Sequence, residues 1–154
     1  MATEIERKFL VRGEAWKAER EGVRYRQGYL AVQERTSVRI RLGGGKAVLT
    51  VKAGESALAR HEFEYSIPPE DAAQLLGPLC AGGIVEKTRY RVPFAGMTWE
   101  VDVFHGANNG LILAEIELED AGQAFEKPPW VGEEVTEDPR YTNAHLAAHP
   151  WNTW

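Results

Sequence analysis

The stretch EIERKFL, residues 4–10, interleaves charged and apolar side chains near the start of the chain. Successive side chains of an extended strand point to opposite faces, so Glu4, Glu6 and Lys8 share one face and Phe9 lies on the other. Two acids and a base on one face of a strand form either an ordinary solvent-exposed surface or the wall of a binding site. The rest of the chain decides between these two interpretations.

Length and composition predict one globular domain over residues 1–154, because 154 residues of which 44% are hydrophobic can bury a substantial core. No apolar run approaches the ~18 residues that a membrane span requires, so neither a signal peptide nor an anchor is expected and the protein is predicted to be cytoplasmic. Cys80 is the only cysteine, which excludes an internal disulfide and a CxxC metal site and suits a reducing compartment.

The formal net charge is -5, from 18 Lys and Arg against 23 Asp and Glu. The chain therefore lacks the strongly basic character of a nucleic-acid-binding protein. Neither nucleic acid nor a membrane is an expected partner, whereas a homodimer is compatible with the sequence.

Alternating apolar and polar residues, separated by turns that contain glycine or proline, predict eight strands. They span residues 4–10, 23–32, 38–42, 47–52, 60–67, 84–94, 97–104 and 111–119. Short helices are predicted near residues 14–20, from Pro69 onward and over residues 142–148, and the other residues after 119 are predicted to be irregular. The turn at residues 43–45 is expected to use three glycines at positive φ. These elements predict a mainly β (α+β) fold, an antiparallel barrel or sandwich.

Charged residues recur at two-residue spacing on most of these strands, and each strand carries mainly one sign. The acidic sets are Glu4 and Glu6, Glu62 and Glu64, Glu100 and Asp102, and Glu115, Glu117 and Glu119, and the basic sets are Arg39 and Arg41, and Lys87, Arg89 and Arg91. A solvent-exposed sheet face also alternates, but it usually mixes the two signs. Two like charges ~7 Å apart cost about 2 kcal/mol at an effective dielectric constant of ~20, so something should compensate for them.

Divalent cations would compensate for the acids, and a polyanion would compensate for the bases. Clustered carboxylates are hard oxygen ligands of the kind that Mg²⁺ or Mn²⁺ prefers, and no Cys or His cluster favours zinc. Arginine binds phosphate oxygens through bidentate forks, and lysine binds them as a point charge. The charge pattern therefore predicts a site for a metal-bound phosphate chain.

The same residues, taken in order, resemble the motifs of the CYTH domain, or triphosphate tunnel metalloenzyme, superfamily. The ExExK motif is Glu4-Ile5-Glu6-Arg7-Lys8, and it is followed by VRIR with Arg39 and Arg41, TVK with Lys52, HEFE with Glu62 and Glu64, KTR with Lys87 and Arg89, and AEIE with Glu115 and Glu117. The resemblance runs from residue 2 to about residue 120. The ExExK motif alone is a weak signal, whereas the ordered set is specific.

This resemblance implies a closed eight-stranded antiparallel β-barrel whose charged faces point inward to form a tunnel, with a few short helices packed outside. It implies metal ligands at Glu4, Glu6, Glu115 and Glu117, with Glu62, Glu64 and Asp102 as neighbouring acids. It implies a phosphate-binding set of Lys8, Arg39, Arg41, Lys52, Lys87 and Arg89, and a catalytic role for Lys8 together with Tyr29.

Members of this superfamily act on linear triphosphates with divalent cations, so the resemblance implies a small-molecule triphosphate substrate and Mg²⁺ or Mn²⁺. Inorganic triphosphate, hydrolysed to diphosphate and phosphate by a metal-activated water, is the expected substrate, because the chain is short and has no insertion suited to an organic group. Thiamine triphosphate hydrolysis and ATP cyclisation, as in class IV adenylate cyclases, remain alternatives. Two non-enzymatic alternatives are a polyphosphate- or nucleotide-binding module and a small-ligand barrel with an apolar lumen, lined by residues such as Ile5, Phe9, Val38, Ile40, Val101 and Val103.

Overall fold

The computed structural model describes residues 3–18, 20–54, 56, 58–80 and 82–154. Within them the chain forms nine strands: β1 (Thr3–Val11), β2 (Val23–Gln33), β3 (Thr36–Gly43), β4 (Lys46–Gly54), β5 (Ala59–Ser66), β6 (Ile84–Phe94), β7 (Met97–Phe104), β8 (Ile112–Glu117) and β9 (Val131–Glu134). The α-helices in this part of the chain are α1 (Pro69–Leu75) and α2 (Asn143–Ala148), and short 3₁₀ turns lie at Gly106–Asn108, Pro139–Tyr141 and Trp151–Thr153.

Strand β1 closes the sheet into a barrel because it pairs with two different strands. The order of hydrogen-bonded neighbours is β5-β4-β3-β2-β6-β7-β8-β1, and β1 pairs with β5 to complete the ring. Residues Thr3–Ile5 pair with β5, whereas Glu6–Leu10 pair with β8, and every pairing is antiparallel. The predicted closed eight-stranded antiparallel barrel is therefore confirmed.

A ninth strand, β9, pairs with the C-terminal end of β1 and was not predicted. It pairs through Phe9 with Glu134 and through Val11 with Val131. Residues 131–134 were expected to be irregular, and this expectation was wrong. A strand of four residues flanked by proline-containing segments has too few positions to produce a recognisable alternation.

The hairpin between β3 and β4 turns on two glycines rather than three. Gly44 and Gly45 have φ of 60° and 75°, while Gly43 still pairs with Lys46 in the ladder. Two central residues at positive φ match the twist of the adjoining strands, which explains the glycines at these positions. The expectation of a positive φ at Gly43 was therefore wrong.

The helices follow the predicted positions at two of three places. Helix α1 begins after Pro68 with Glu70 and Asp71 in its first turn, as a helix N-terminus favours. Thr142 caps α2 by accepting a hydrogen bond from the backbone of His145. The helix predicted near residues 14–20 is not formed, because residues 15–18 are a turn; Glu19 lies outside the described residues.

The largest apolar core lies on the outer face of the barrel wall rather than inside the barrel. Phe9 and Trp99 are fully buried there, and Trp130 and Phe125 of the segment after β8 pack against them. This core contains the apolar residues of the alternating pattern on β1, β7 and β8. The charged residues, which alternate with them, therefore face the lumen.

Helix α2 closes one end of the barrel. Leu146 is fully buried against Val85, Phe104 and Leu113, which lie on β6, β7 and β8. A Cβ atom at Gly83 would lie 2.2 Å from the carbonyl oxygen of Ala147, so a glycine is needed for this close approach. Among the residues described, no helix is both long and apolar enough to cross a membrane.

Candidate functional site

The barrel encloses a cavity of about 220 Å³ that is lined almost entirely by polar side chains. Its lining carboxylates are Glu4, Glu6, Glu62, Glu64, Glu100, Glu115 and Glu117, and its lining cations are Lys8, Arg39, Arg41, Lys52, Arg60, Lys87, Arg89 and Arg91. Seven carboxylates facing eight cations nearly balance, so the cavity is neither a simple anion site nor a simple cation site.

Strand register brings the predicted residues together. On β1 the inward positions are Glu4, Glu6 and Lys8, because these alternate with the outward Ile5, Arg7 and Phe9. Glu6 pairs with Glu117 and Lys8 pairs with Glu115 across the β1–β8 ladder. Most of the like charges at two-residue spacing therefore point into one enclosed space, with Asp102 and Glu119 outside its lining, and the solvent-face interpretation of EIERKFL is wrong.

Acidic side chains crowd one another on the β1 side of the cavity. Burial, with the nearby charge of Glu115, raises the pKa of Glu6 to about 8. Burial, together with the nearby Glu62, also raises the pKa of Glu4 despite the opposing charge of Lys52. Lys52 relieves part of this repulsion, with its Nζ atom 3.1 Å from Glu4 and 3.3 Å from Glu62.

These carboxyl pairs fit a divalent cation. Burial and the nearby Glu115 raise the pKa of Glu6, so Glu6 holds a proton that a metal ion could replace. Among the described residues there is no group of three His, Cys, Asp or Glu side chains already at metal-ligand spacing. The oxygens from pairs of carboxylates would therefore need further ligands, which water or phosphate oxygens can supply for Mg²⁺.

Arg39 is a buried cation with unused hydrogen-bonding capacity. The residue is 6% exposed, its Nη2 atom donates to Thr50 at 3.2 Å, and its Nε atom has no hydrogen-bond partner within the part of the chain that the structure describes. A buried donor without an acceptor costs about 1–3 kcal/mol, so this group favours an incoming anion. Arg41 lies beside it, and burial together with the charges of Arg39 and Arg89 lowers the pKa of Arg41 to about 10.

Asp102 differs from the other predicted metal ligands because both of its oxygens are occupied by cations. Lys87 Nζ lies 2.7 Å from Oδ2, and Arg89 contacts Oδ1 at 2.7 Å and Oδ2 at 2.9 Å. Burial would raise the pKa of Asp102, but Arg89 and Lys87 outweigh burial and lower it to about 2. Asp102 is 1% exposed and does not line the cavity.

The two predicted catalytic residues both line the cavity. Lys8 Nζ donates to the carbonyl oxygen of Tyr141 at 3.0 Å and lies 4.0 Å from Glu115. Tyr29 is 4% exposed, and its hydroxyl oxygen accepts a hydrogen bond from Gln27 at 3.4 Å. Lys8 and Tyr29 are thus held by different partners, Lys8 by the segment before α2 and Tyr29 by its own strand.

Some site residues were missed because their signal was weak or absent. Arg60 contacts Glu4 and Glu6 at 3.8 Å, and its two-residue spacing from Glu62 could have revealed it. Gln27 is an uncharged member of the inward row on β2, so a search for repeated charges passes over it. Asn143 has no sequence signal at all, because it reaches the lumen from α2 rather than from a strand.

The small-ligand barrel with an apolar lumen is excluded by the lining. None of the apolar residues proposed for such a lumen lines this cavity. Phe9 and Val101 belong instead to the core on the outer face of the wall.

The molecule is a closed antiparallel β-barrel whose lumen is lined by interleaved acidic and basic side chains. The CYTH domain family matches residues 2–147. The chain belongs to the CYTH domain family, which implies a divalent metal.

Two similar proteins and one solved structure match nearly the whole chain. An inorganic triphosphatase of Acetivibrio thermocellus is 47% identical over 100% of this chain and 99% of its own length. An inorganic triphosphatase of Nitrosomonas europaea is 46% identical over 94% of this chain and 97% of its own length. A crystal structure of an inorganic triphosphatase matches with a TM-score of 0.69 and 43% identity, covering 96% of each chain.

Proposed function

We propose that this protein is an inorganic triphosphatase, a divalent-metal-dependent hydrolase that converts inorganic triphosphate into diphosphate and phosphate. Two relatives that share close to half of its residues are named inorganic triphosphatases. The observation that carries the proposal is that seven carboxylates face eight cations in one and the same cavity inside the barrel. Such a lining suits a polyanion and metal ions bound together, because each compensates for the charges that the other leaves unpaired.

The carboxylates are the proposed metal ligands, and the proposed ion is Mg²⁺ or Mn²⁺. Glu4, Glu6, Glu115 and Glu117 are the principal set, with Glu62 and Glu64 beside them. When bound, the metal would polarise phosphoryl oxygens and lower the pKa of a bound water. Asp102 belongs to the predicted acidic set, but its pairing with Lys87 and Arg89 favours a supporting role in which it holds these two cations.

The cations are the proposed phosphate-binding groups, namely Lys8, Arg39, Arg41, Lys52, Lys87 and Arg89. They lie on β1, β3, β4 and β6, so they approach a phosphate chain in the lumen from several sides. In phosphoryl transfer the negative charge is spread over the transferred group and the departing diphosphate, and fixed cations stabilise that charge without reorganisation. Ion pairs hold five of these side chains in place, and a hydrogen bond to Gln27 holds Arg41.

Tyr29 and Lys8 are the proposed catalytic groups. Both line the cavity, and both carry a proton that can be donated to a phosphate oxygen. No covalent intermediate is required, because in-line attack by water on the terminal phosphorus needs positioning and charge stabilisation. Cys80 takes no part in this scheme: it is buried, and its thiol donates to the carbonyl of Leu75 at 3.0 Å.

Substrates with an organic group remain as alternatives, but the lining does not favour them. Trp16, Trp99 and Trp130 could in principle stack on a thiamine or adenine ring. All three are buried in the core on the outer face of the wall, and none lines the cavity. A binding module without turnover is disfavoured because anion binding alone does not need seven carboxylates.

A substrate panel tests the proposal. Purified protein is assayed with tripolyphosphate, ATP and thiamine triphosphate in Mg²⁺ or Mn²⁺, and both phosphate release and cyclic AMP formation are measured. The expected result is metal-dependent phosphate release that is greatest from tripolyphosphate, with loss of activity in E6Q but not in Q33M, an exposed site on β2. Cyclic AMP formation, preference for thiamine triphosphate, or full activity in E6Q would overturn the proposal.

Three further expectations accompany this function. We propose a cytoplasmic location, which the free and buried Cys80 supports, and a single domain over residues 1–154. We also propose a homodimer, in which the exposed Phe63 and Tyr65 on β5 would form the apolar contact between copies. Light scattering of the purified protein measures its oligomeric state directly.

A further inference from the structure

Gln27 is a fully buried amide at the base of the lumen, and it does not itself line the cavity. Its Oε1 atom accepts a hydrogen bond from Arg41 Nε at 3.2 Å. Its Nε2 atom lies 3.4 Å from both the Tyr29 hydroxyl and Asn143 Oδ1. One amide thus contacts a proposed phosphate-binding cation, a proposed catalytic hydroxyl and the first residue of α2.

The direction of each hydrogen bond follows from the partners. An arginine guanidinium has donors only, so the atom of Gln27 that faces Arg41 must be the carbonyl oxygen. The amide nitrogen therefore faces Tyr29 and Asn143, and its two protons match these two acceptors. Gln27 donates to Tyr29, and the Tyr29 oxygen accepts.

A second cation orients the other side of the same amide. Lys87 Nζ donates to Asn143 Oδ1 at 3.0 Å, so this oxygen is an acceptor for both Lys87 and Gln27. Arg41 at one end and Lys87 at the other thus impose one polarity on the whole chain of contacts. The alternative orientation would place donor against donor at Arg41.

The consequence concerns the proton of the Tyr29 hydroxyl. Because the oxygen accepts from Gln27, this proton is not used in that contact. Among the residues described, the Tyr29 hydroxyl has no other hydrogen-bond partner, and the side chain lines the cavity. The proton is therefore available to the contents of the lumen.

We infer that Gln27 is a positioning residue that makes Tyr29 a hydrogen-bond donor to a phosphate oxygen of the bound triphosphate. This inference rests on the proposed function and specifies the part that Tyr29 plays in it. A buried glutamine that only filled space would be replaceable by an apolar side chain of similar shape, since an amide is costly to bury. The polarity imposed by Arg41 instead requires an amide at this position.

A double-mutant cycle at saturating tripolyphosphate measures the coupling. Y29F is expected to lower kcat by about 100-fold, as for loss of one preorganised donor. Q27M keeps the size of the side chain but removes its hydrogen bonds, and it is expected to lower kcat by about 10-fold. In the Y29F background Q27M should change kcat by less than about 2-fold, because the group through which Gln27 acts is already absent.

Controls separate positioning from loss of structure. Q33M makes the same substitution at an exposed position of β2 and should leave kcat unchanged, and thermal unfolding of each variant tests the fold. Unchanged kcat in Q27M would overturn the inference. An equal loss in the Tyr29 and Y29F backgrounds would also overturn it, since Gln27 would then act independently of Tyr29.

A second variant reverses the polarity rather than removing it. Q27E still accepts from Arg41, but its other oxygen cannot donate to Tyr29, so the tyrosine hydroxyl is expected to turn toward it. We expect Q27E to lower kcat at least as far as Y29F does, and kcat near that of the wild type would contradict the inference. This variant carries the kinetic test if Q27M does not fold.

A spectroscopic measurement needs neither substrate nor metal. The Raman doublet of a tyrosine ring differs between a hydroxyl that accepts a hydrogen bond and one that donates it. The difference spectrum of wild type minus Y29F should report a hydroxyl that accepts a hydrogen bond, whether or not it also donates to water, and the signature of a hydroxyl that only donates would refute the assignment. Activity of the wild type and of Q33M toward tripolyphosphate tests the proposed function separately, so its failure is distinguishable from failure at Gln27.

Discussion

Arg39 is a basic residue and Glu6 an acidic one, and the environment of each is left incomplete by the folded chain alone. Arg39 is buried with a free Nε donor, and Glu6 lies against Glu115 with its pKa raised to about 8 by burial and by that neighbour. An anion would satisfy Arg39, and a cation would remove the repulsion between the two glutamates. Each group therefore gives a prediction of its own.

Replacing Arg39 should affect turnover more than stability. R39A removes a fixed cation of the proposed phosphate-binding set, so kcat/KM for tripolyphosphate is expected to fall by about 10²–10³-fold. Steady-state kinetics of phosphate release measures this loss. R24A removes an exposed arginine from the outer face of β2 and serves as the control. An unchanged kcat/KM in R39A would remove this residue from the phosphate-binding set.

The raised pKa of Glu6 predicts that the stability of the metal-free protein depends on pH. The unfolded glutamate ionises near pH 4.3, whereas folded Glu6 has its pKa raised to about 8 by burial and by Glu115. Between these pH values the folded state binds the extra proton, so stability falls as pH rises. The contribution of Glu6 to the free energy of unfolding, measured with urea as the difference between the wild type and E6Q, should drop by about 3 kcal/mol from pH 5.5 to pH 8.

The same measurement on variants assigns the effect. E6Q should flatten the pH dependence, while E14Q, at an exposed position, should retain it. Addition of Mn²⁺ to the wild type should also reduce the slope, because the metal replaces the bound proton. An identical slope in E6Q and the wild type would show that Glu6 is not the group responsible.

The pairing of β6 with β7 contains the most buried ion pairs of the described residues. Lys87 and Asp102 are each 1% exposed, and Arg89 completes the group from the same strand as Lys87. Removal of one partner from a buried pair leaves an unpaired charge in a low-dielectric environment. Asp102 on β7 therefore both stabilises the pairing of β6 with β7 and fixes the positions of Lys87 and Arg89, two of the proposed phosphate-binding cations.

Substituting Asp102 should destabilise the protein strongly. D102N leaves two buried cations without their carboxylate, and the free energy of unfolding should fall by about 3–5 kcal/mol. E86Q, which removes an exposed ion pair with Arg24 between β2 and β6, should have a much smaller effect. Equal unfolding midpoints for D102N and the wild type in a denaturant titration would contradict this role.

Strand positions could be predicted because alternating polar and apolar residues indicate a strand with one polar and one apolar face, whichever of the two faces contacts water. The sequence pattern could not say which face of the sheet lines the lumen. Glu4 and Phe9 lie on opposite faces of β1, and the alternation is the same whether the face with Glu4 or the face with Phe9 points inward. The segment carrying Trp130 and Phe125 settles this by covering the apolar face from outside. Strand β9 escaped prediction because its pairing depends on this tertiary arrangement rather than on its own sequence.

The candidate site could be predicted where repeated charge marked it. Glu4, Arg39 and Glu115 lie on different strands, and each lines the same cavity as the family motifs imply. Gln27 and Asn143 could not be found, because an uncharged amide on a strand and a residue on a distant helix leave no repeated signal. The chemical roles of all these residues stay predictions until they are measured.

At the scale of the whole molecule, the barrel holds acidic and basic side chains close together in one cavity, and not all of them are paired with one another. Lys52 pairs with Glu4, and Arg89 pairs with Asp102, yet Arg39 Nε has no hydrogen-bond partner among the described residues and the pKa of Glu6 stays raised to about 8 by burial and by Glu115. Metal and triphosphate would complete this arrangement together, so each should increase the affinity of the lumen for the other by the same factor.

A crystal structure with Mn²⁺ and a non-hydrolysable imido analogue of triphosphate tests this account most directly. We predict anomalous density for manganese beside Glu6 and Glu115, and phosphate oxygens within hydrogen-bonding distance of Arg39, all inside the barrel. Analogue or manganese bound only on the outer surface, with the lumen unchanged, would contradict it.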